Sequence, residues 1–454
     1  MTSTGPRPGS RHRPSPAAAG LTAALVLVVL AVAVPAVTGW NVRVNSFPPL
    51  HAEWAPRVGW GTVPAVVLAV LAGRIMVGLA ERLPWRRLLL LVFTGGLLWL
   101  LALAFVDGSH GVSRILGTPY EYLRTARATT DVSATLQEYV SRIRYDAAPR
   151  NWPVHIAGHP PGALLFFVVL VRLGLGSGFA AGMVVTVLAA TTAVAVMVTL
   201  RTLGAETMAR RAAPFLAFGP AAVWQSVSAD AGFAAAAAWG TACLAVAATR
   251  TRTRDGLRAR IGWSALAGGL LGYCVMLSYG LPLLGVLALA VLFLARSWVP
   301  LPLAAASALV VVAAFWVAGF SYLEALPAIH DRYWEGVGGR RPEAYWLWGN
   351  LAALALSAGP LAGAGLGHLL AGVRGRHREP GARVVVLLAG AGVAMVALAE
   401  ASLMSKAEVE RIWLPFVPWL LVSCALLPEG WRRRGLVLQL GTALVVQHLL
   451  FTGW

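Results

Sequence analysis

Acidic side chains are scarce in this 454-residue chain: 19 Asp and Glu stand against 37 Lys and Arg, and charged residues of both signs make up only 12%. Hydrophobic residues reach 58%, more than a soluble fold can bury, and apolar runs of roughly 18 to 20 residues recur along the chain. A soluble globular protein is excluded. The net charge of +18 is not a nucleic-acid footprint, because the basic residues fall in small clusters between apolar runs. Cysteine is nearly lacking too. Cys243, Cys274 and Cys424 all lie inside apolar segments, so no extramembrane disulfide framework exists. No fixed-period repeat and no inverted halves are visible, which weighs against a secondary carrier.

What is present is an all-α polytopic membrane protein. Fourteen apolar segments between residues 21 and 452 are candidate crossings. The positive-inside rule puts Arg7 to Arg13, Arg74 to Arg87, Arg201 to Arg211, Arg250 to Arg260, Arg296, Arg374 to Arg383 and Arg432 to Arg434 on the cytoplasmic side. These stretches, with Glu429 just ahead of the last, hold 23 of the 37 basic residues but only 5 of the 19 acidic ones, so the carboxylates gather outside. Strict alternation of all fourteen conflicts with this rule at Arg201 to Arg211. One partial crossing among the Gly-rich pieces between 160 and 200 removes the conflict, which gives about 13 transmembrane helices, the N-terminus in and the C-terminus out.

The chain then divides into a disordered basic cytoplasmic tail (1–20), two additional transmembrane helices (21–87) and a transmembrane core (88–454). The core carries outer loops 107–159 and 321–350. Smaller outer stretches are 39–59 and 400–411.

The loop 107–159 is the longest run that cannot sit in lipid, and it holds the densest set of ionisable side chains. Asp107 lies where an outward-going helix reaches the surface, a place for a base that takes a proton from an incoming hydroxyl; the plain alternative is a solvated helix-end acid before a Gly C-cap. Glu121, in Tyr120-Glu121-Tyr122-Leu123, is a second acid of that loop or part of an interface-anchoring helix. His155 and His159 are four apart, but Pro160 disfavours helix at His159, so they are read as phosphate-binding imidazoles or polar caps and not as a metal pair.

Asp230 is an isolated acid between apolar runs, expected to face a cavity or a partner. Tyr333, Trp334 and Trp346 alternate with Arg332, Arg340 and Arg341, a combination that suits sugar rings and phosphate but also describes an interfacial aromatic belt. Arg411 opens a late apolar segment and needs an anion there: Glu408, Glu410 or a ligand phosphate.

The outward helix ending in Asp107, the long loop with Glu121-Tyr122-Leu123, and His159-Pro160-Pro161-Gly162 opening the next helix resemble the GT-C class of integral-membrane glycosyltransferases. The likeness is to lipid-A aminoarabinose transferases, protein O-mannosyltransferases and actinobacterial arabinosyl- and mannosyltransferases, and the abundance of Ala, Arg and Gly is similar to that of actinobacterial proteins. It covers 107–250 best, and beyond that rests on helix number and Glu410-Arg411-Ile412-Trp413-Leu414-Pro415.

The resemblance implies a hexosyl- or pentosyltransferase of the plasma membrane, with a polyprenyl-phosphate sugar donor and an envelope glycan, lipid or protein acceptor on the outer face. It implies catalytic Asp107 or Glu121, donor-phosphate contacts from His155, His159 and Arg411, and substrate contacts from Asp230, Tyr333, Trp334, Arg341, Trp346 and Glu410. The charge on the departing phosphate would be met by His159, Arg411 or a divalent cation. The chain departs from the class in its two leading segments and in having Asp107-Gly108 in place of a paired Asp-Glu. The rival readings are a small-molecule or lipid transporter and a non-catalytic scaffold of envelope biogenesis.

Overall fold

A computed structural model describes residues 15–250, 254–372 and 379–453. The tail residues 1–14, the basic residues Arg252, Arg374, Arg376 and Arg378, and Trp454 lie outside the described residues. Among the described residues the architecture is helical, apart from one two-residue antiparallel pairing of Glu53–Trp54 with Leu450–Phe451.

Among the described residues seven helices are long and apolar enough to cross a bilayer: Pro16–Thr38, Thr62–Arg82, Trp85–Asp107, Gly178–Thr202, Ala229–Thr249, Gly256–Leu277 and Ala382–Ala401. Their starts are set locally. Ser15, Ser177 and Ser228 are N-caps whose hydroxyls accept from Ala18, Ala180 and Ala231 N–H. Two further spans are bent pairs, Leu301–Val317 with Tyr322–Glu335 at 74° and Glu343–Ser357 with Pro360–Gly372 at 106°. At the second bend Gly359 has φ 82°, and a Cβ there would lie 2.0 Å from Gln439 Oε1, so only glycine fits.

Among the described residues this gives seven spans, or nine with each bent pair counted as one, against the expected thirteen; the apolar helices Pro161–Arg172, Leu281–Leu294 and Val417–Leu426 are shorter, and Glu429–Leu449 opens with three arginines. Of the two pieces between 160 and 200, Pro161–Arg172 is the short one: 12 residues give about 18 Å against a hydrocarbon core of about 30 Å. The expected crossing 213–228 is corrected. Its span is broken between the helix Glu206–Ala217 and the turn Ala222–Gln225 at Gly219-Pro220, and the first helix carries Arg210 and Arg211.

The helices Trp85–Asp107 and Ala382–Ala401 run toward the same end of the bundle, where the loops 107–160, 321–348 and 402–411 gather. The segment 39–59 lies over that end. Trp346 Nε1 donates to Val42 O at 3.0 Å, Tyr345 Oη to Ala31 O at 2.8 Å, and Arg57 to Leu450 O at 2.7 Å.

Candidate functional site

A cavity of about 600 Å3 opens among these loops, in the size range of small-molecule sites. Its wall is built from the loop 107–160 outward. Tyr139 is buried and its hydroxyl donates to Ile156 O at 2.8 Å and His159 O at 3.1 Å, while Trp152 Nε1 donates to Tyr139 O at 2.9 Å. Arg332 closes the loop onto the helix Tyr322–Glu335 by donating to Ile143 O at 2.5 Å and Trp152 O at 2.8 Å. These bonds fix the turn Val154–Ala157, and with it His155 and His159.

Pro160 is extended and Pro161 starts the next helix. Gly162 follows because the helix Arg254–Leu277 passes too close for a side chain: a Cβ would lie 2.5 Å from Met276 O.

The ionisable residues pair across long stretches of sequence. His155 Nδ1 lies 2.6 Å from Glu121 Oε1, and the other carboxylate oxygen of Glu121 is buried without a hydrogen-bond partner among the described residues. Burial alone would raise the Glu121 carboxyl, but His155, with Arg411 and His159 behind it, holds it below the usual carboxylate value. His159 Nδ1 donates to His155 O at 2.8 Å, with the Tyr122 hydroxyl also 2.8 Å away; the neutral ring therefore keeps Nε2 as acceptor. Burial lowers the His159 pKa and so favours that neutral form.

Asp230 and Arg411 form a buried pair at 2.5 Å. Glu408 lies 3.5 Å from Arg411 and 3.2 Å from Arg341, and although burial opposes ionisation these two cations hold its carboxyl down at about 2. Arg341 also donates to Lys406 O, and at 3.2 Å to Arg43 O of the overlying segment. Lys406 is the only lysine in the chain. Its ammonium is 3.1 Å from Glu343 and 4.1 Å from the centre of the Trp334 ring, and its backbone N–H donates to the Tyr333 hydroxyl at 2.8 Å.

Of the residues singled out from sequence, His155, His159, Asp230, Tyr333, Arg341 and Arg411 line the cavity together. Glu121 stands directly behind His155, and Trp334 behind Lys406. Three do not reach it. Asp107 is held by Arg57 at 2.6 Å and Gln447 at 3.1 Å, which ties the loop start to the segment 39–59 and the C-terminal helix. Trp346 anchors Val42, and Glu410 is buried with Oε1 accepting from His51 N–H at 2.9 Å.

Both oxygens of Asp107 are thus engaged away from the cavity, whereas Glu121, the other acid expected as base, stands beside it. Lys406 and Tyr145 are lining residues that the sequence did not single out, and the one signal for them was that Lys406 is unique; Glu408, expected only as a possible anion for Arg411, lines the cavity as well. Among the described residues no group of three or more His, Cys, Asp and Glu has the spacing to hold a metal ion.

No protein-family model matches the chain, and no curated protein does. Among solved structures it is similar to ArnT from Cupriavidus metallidurans in the apo state, with TM-score 0.39 and 16% identity over 72% of this chain and 57% of that one. It is also similar to the Archaeoglobus fulgidus oligosaccharyltransferase tethered with an acceptor peptide containing the NVT sequon, with TM-score 0.40 and 12% identity over 81% of this chain and 49% of that one. The chain thus spans about half the length of these proteins. Likeness at this level decides no activity.

Proposed function

We propose that the chain is a GT-C-like membrane glycosyltransferase that moves a pentose or hexose from a polyprenyl-phosphate donor to an envelope glycan, lipid or protein acceptor on the outer face. In this reading 88–454 is the core and 21–87 adds two leading helices. The observation that carries it is the cavity in which an acid-backed imidazole, Glu121 with His155, faces a group of cations, Lys406, Arg341 and Arg411. Such a cavity provides a proton acceptor on one side and anion stabilisation on the other.

The acceptor hydroxyl gives its proton to the His155 imidazole as its oxygen bonds to the anomeric carbon. The bond from that carbon to the phosphate oxygen breaks, and the electron pair leaves with the polyprenyl phosphate. Glu121 holds the His155 ring and stabilises the imidazolium that forms. The developing phosphate charge is met by Lys406, Arg341 and Arg411. Tyr333 flanks the sugar, and Trp334 backs the Lys406 ammonium.

The test is transfer from polyprenyl-phosphate-linked arabinose or mannose in membranes carrying each variant at matched abundance. Glu121→Gln and His155→Ala are expected to lose about 100-fold or more, the range of a general base, while Asp107→Asn keeps transfer within a few-fold. Unimpaired transfer in Glu121→Gln would return the role to Asp107 or sink the assignment.

A further inference from the structure

The end of the bundle away from the cavity carries the surplus of positive charge, and four of the acids described there are already taken. Glu81 pairs with Arg432 at 2.7 Å, Glu206 with Arg201 and Arg210, Glu379 with Arg211, and Glu429 with Arg433 at 2.7 Å. Arg434 follows directly and has no acidic partner among the described residues.

Arg434 borders an apolar cleft of about 180 Å3 between the helices Pro16–Thr38, Pro360–Gly372 and Glu429–Leu449. Leu21, Leu361, Trp431 and Leu438 form its wall. A cleft of this polarity on the membrane-facing side of a bundle is filled by hydrocarbon more favourably than by water. At its mouth an unpaired guanidinium calls for an anion, and an indole suits the headgroup zone.

We propose that this cleft binds one anionic phospholipid, with the headgroup phosphate on Arg434 and the start of an acyl chain against Leu21, Leu361 and Leu438. The two features of the cleft, the apolar wall and the unpaired cation, match the two halves of such a lipid; a free phosphate lacks the hydrocarbon, and a zwitterionic lipid brings its phosphate with a compensating cation that weakens the attraction to Arg434. The lipid bridges the first helix to the last, so it holds the leading segment on the core. The site is independent of the transferase reading, because it lies at the opposite end of the bundle from the cavity.

Native mass spectrometry of the purified full chain, titrated with phosphatidylglycerol or phosphatidylcholine, tests this. The wild type is expected to retain one phosphatidylglycerol in preference to phosphatidylcholine. Arg434→Ala is expected to weaken that retention about fivefold, the attraction of one arginine for an anionic headgroup. Leu438→Trp, which fills the cleft, lowers it similarly, and Arg433→Ala, already paired with Glu429, leaves it unchanged. Should Leu438→Trp not be recovered from membranes, Arg434→Gln gives the same reading with the bulk preserved. Equal retention of the two lipids, wild-type retention in Arg434→Ala, or an equal loss in Arg433→Ala overturns the proposal.

Discussion

Burial acts on Glu408 and Glu410 alike, but their neighbours differ. Arg341 and Arg411 hold Glu408 ionised, whereas for Glu410 burial wins and raises its carboxyl to about 7. The two carboxyls therefore pull stability in opposite directions as pH changes. Glu408 stabilises the fold above the ordinary carboxyl value, and that contribution is lost as pH falls toward about 2. For Glu410 the unfolded chain releases its proton from the ordinary 4.5 upward while the folded chain keeps it to about 7, so stability falls as pH rises across that window and is level above it. Glu410→Gln retains an acceptor for His51 N–H and has no proton to release. Its melting temperature in detergent is expected to match the wild type near pH 4.5 and to exceed it at pH 8, by the equivalent of roughly 1 to 3 kcal/mol. Parallel curves for the two proteins across pH 4.5 to 8 would show that Glu410 ionises normally.

The turn before the helix Pro161–Arg172 shows what an element requires of its neighbour. A methyl at Gly162 would meet the Met276 carbonyl and Cβ at 2.5 and 2.9 Å, and backbone cannot step aside as a flexible side chain can. Gly162→Ala is expected to cost about 1 to 3 kcal/mol, as overpacking does, and to displace His159 with the helix start. Gly269→Ala on the same partner helix, where nothing lies within 4 Å of the new methyl, is expected to be neutral or slightly stabilising. A thermal melt of both variants checks the pair: equal melting temperatures would mean that the contact at Met276 yields at no cost.

The His159-Pro160-Pro161-Gly162 turn was legible in the sequence because it is local: Pro presets the helix start and His155 lies one turn upstream. The partners of these residues were not legible. Glu121 meets His155 across 34 positions and Asp230 meets Arg411 across 181, and such pairings follow from how apolar helices pack, which leaves no periodic trace. The surroundings of Asp107 were not legible for the same reason. Its position at a helix end was visible, but Arg57 and Gln447 come from distant segments. The broken span at Gly219-Pro220 was readable in principle, since the dipeptide is a turn signal placed within an apolar run.

At the scale of the whole molecule the remaining question is which side the cavity faces, because a lipid-linked donor and an envelope acceptor meet only outside. The fold makes the two ends distinguishable without counting helices. The helix Pro16–Thr38 starts beside Gly363 and Gly367, at the arginine-rich end, and delivers the segment 39–59 to the cavity end. There Glu53–Trp54 pairs with Leu450–Phe451, so Pro16 and Phe451 lie at opposite ends. Any crossing number consistent with this arrangement is odd. The arginine-rich end holds Arg82, Arg86, Arg87, Arg201, Arg210, Arg211 and Arg432 to Arg434 in short connections, where the charge rule acts most strongly. That end is therefore expected in the cytoplasm and the cavity outside. Ser133 is exposed on the cavity-side loop, so Ser133→Cys should react with a membrane-impermeant maleimide in intact cells, and a reporter fused after Trp454 should be active only in its outside form. A Ser133→Cys protected from the reagent, in cells where an outer control labels, would place the cavity inside, where a soluble nucleotide sugar replaces the lipid-linked donor as the expected substrate.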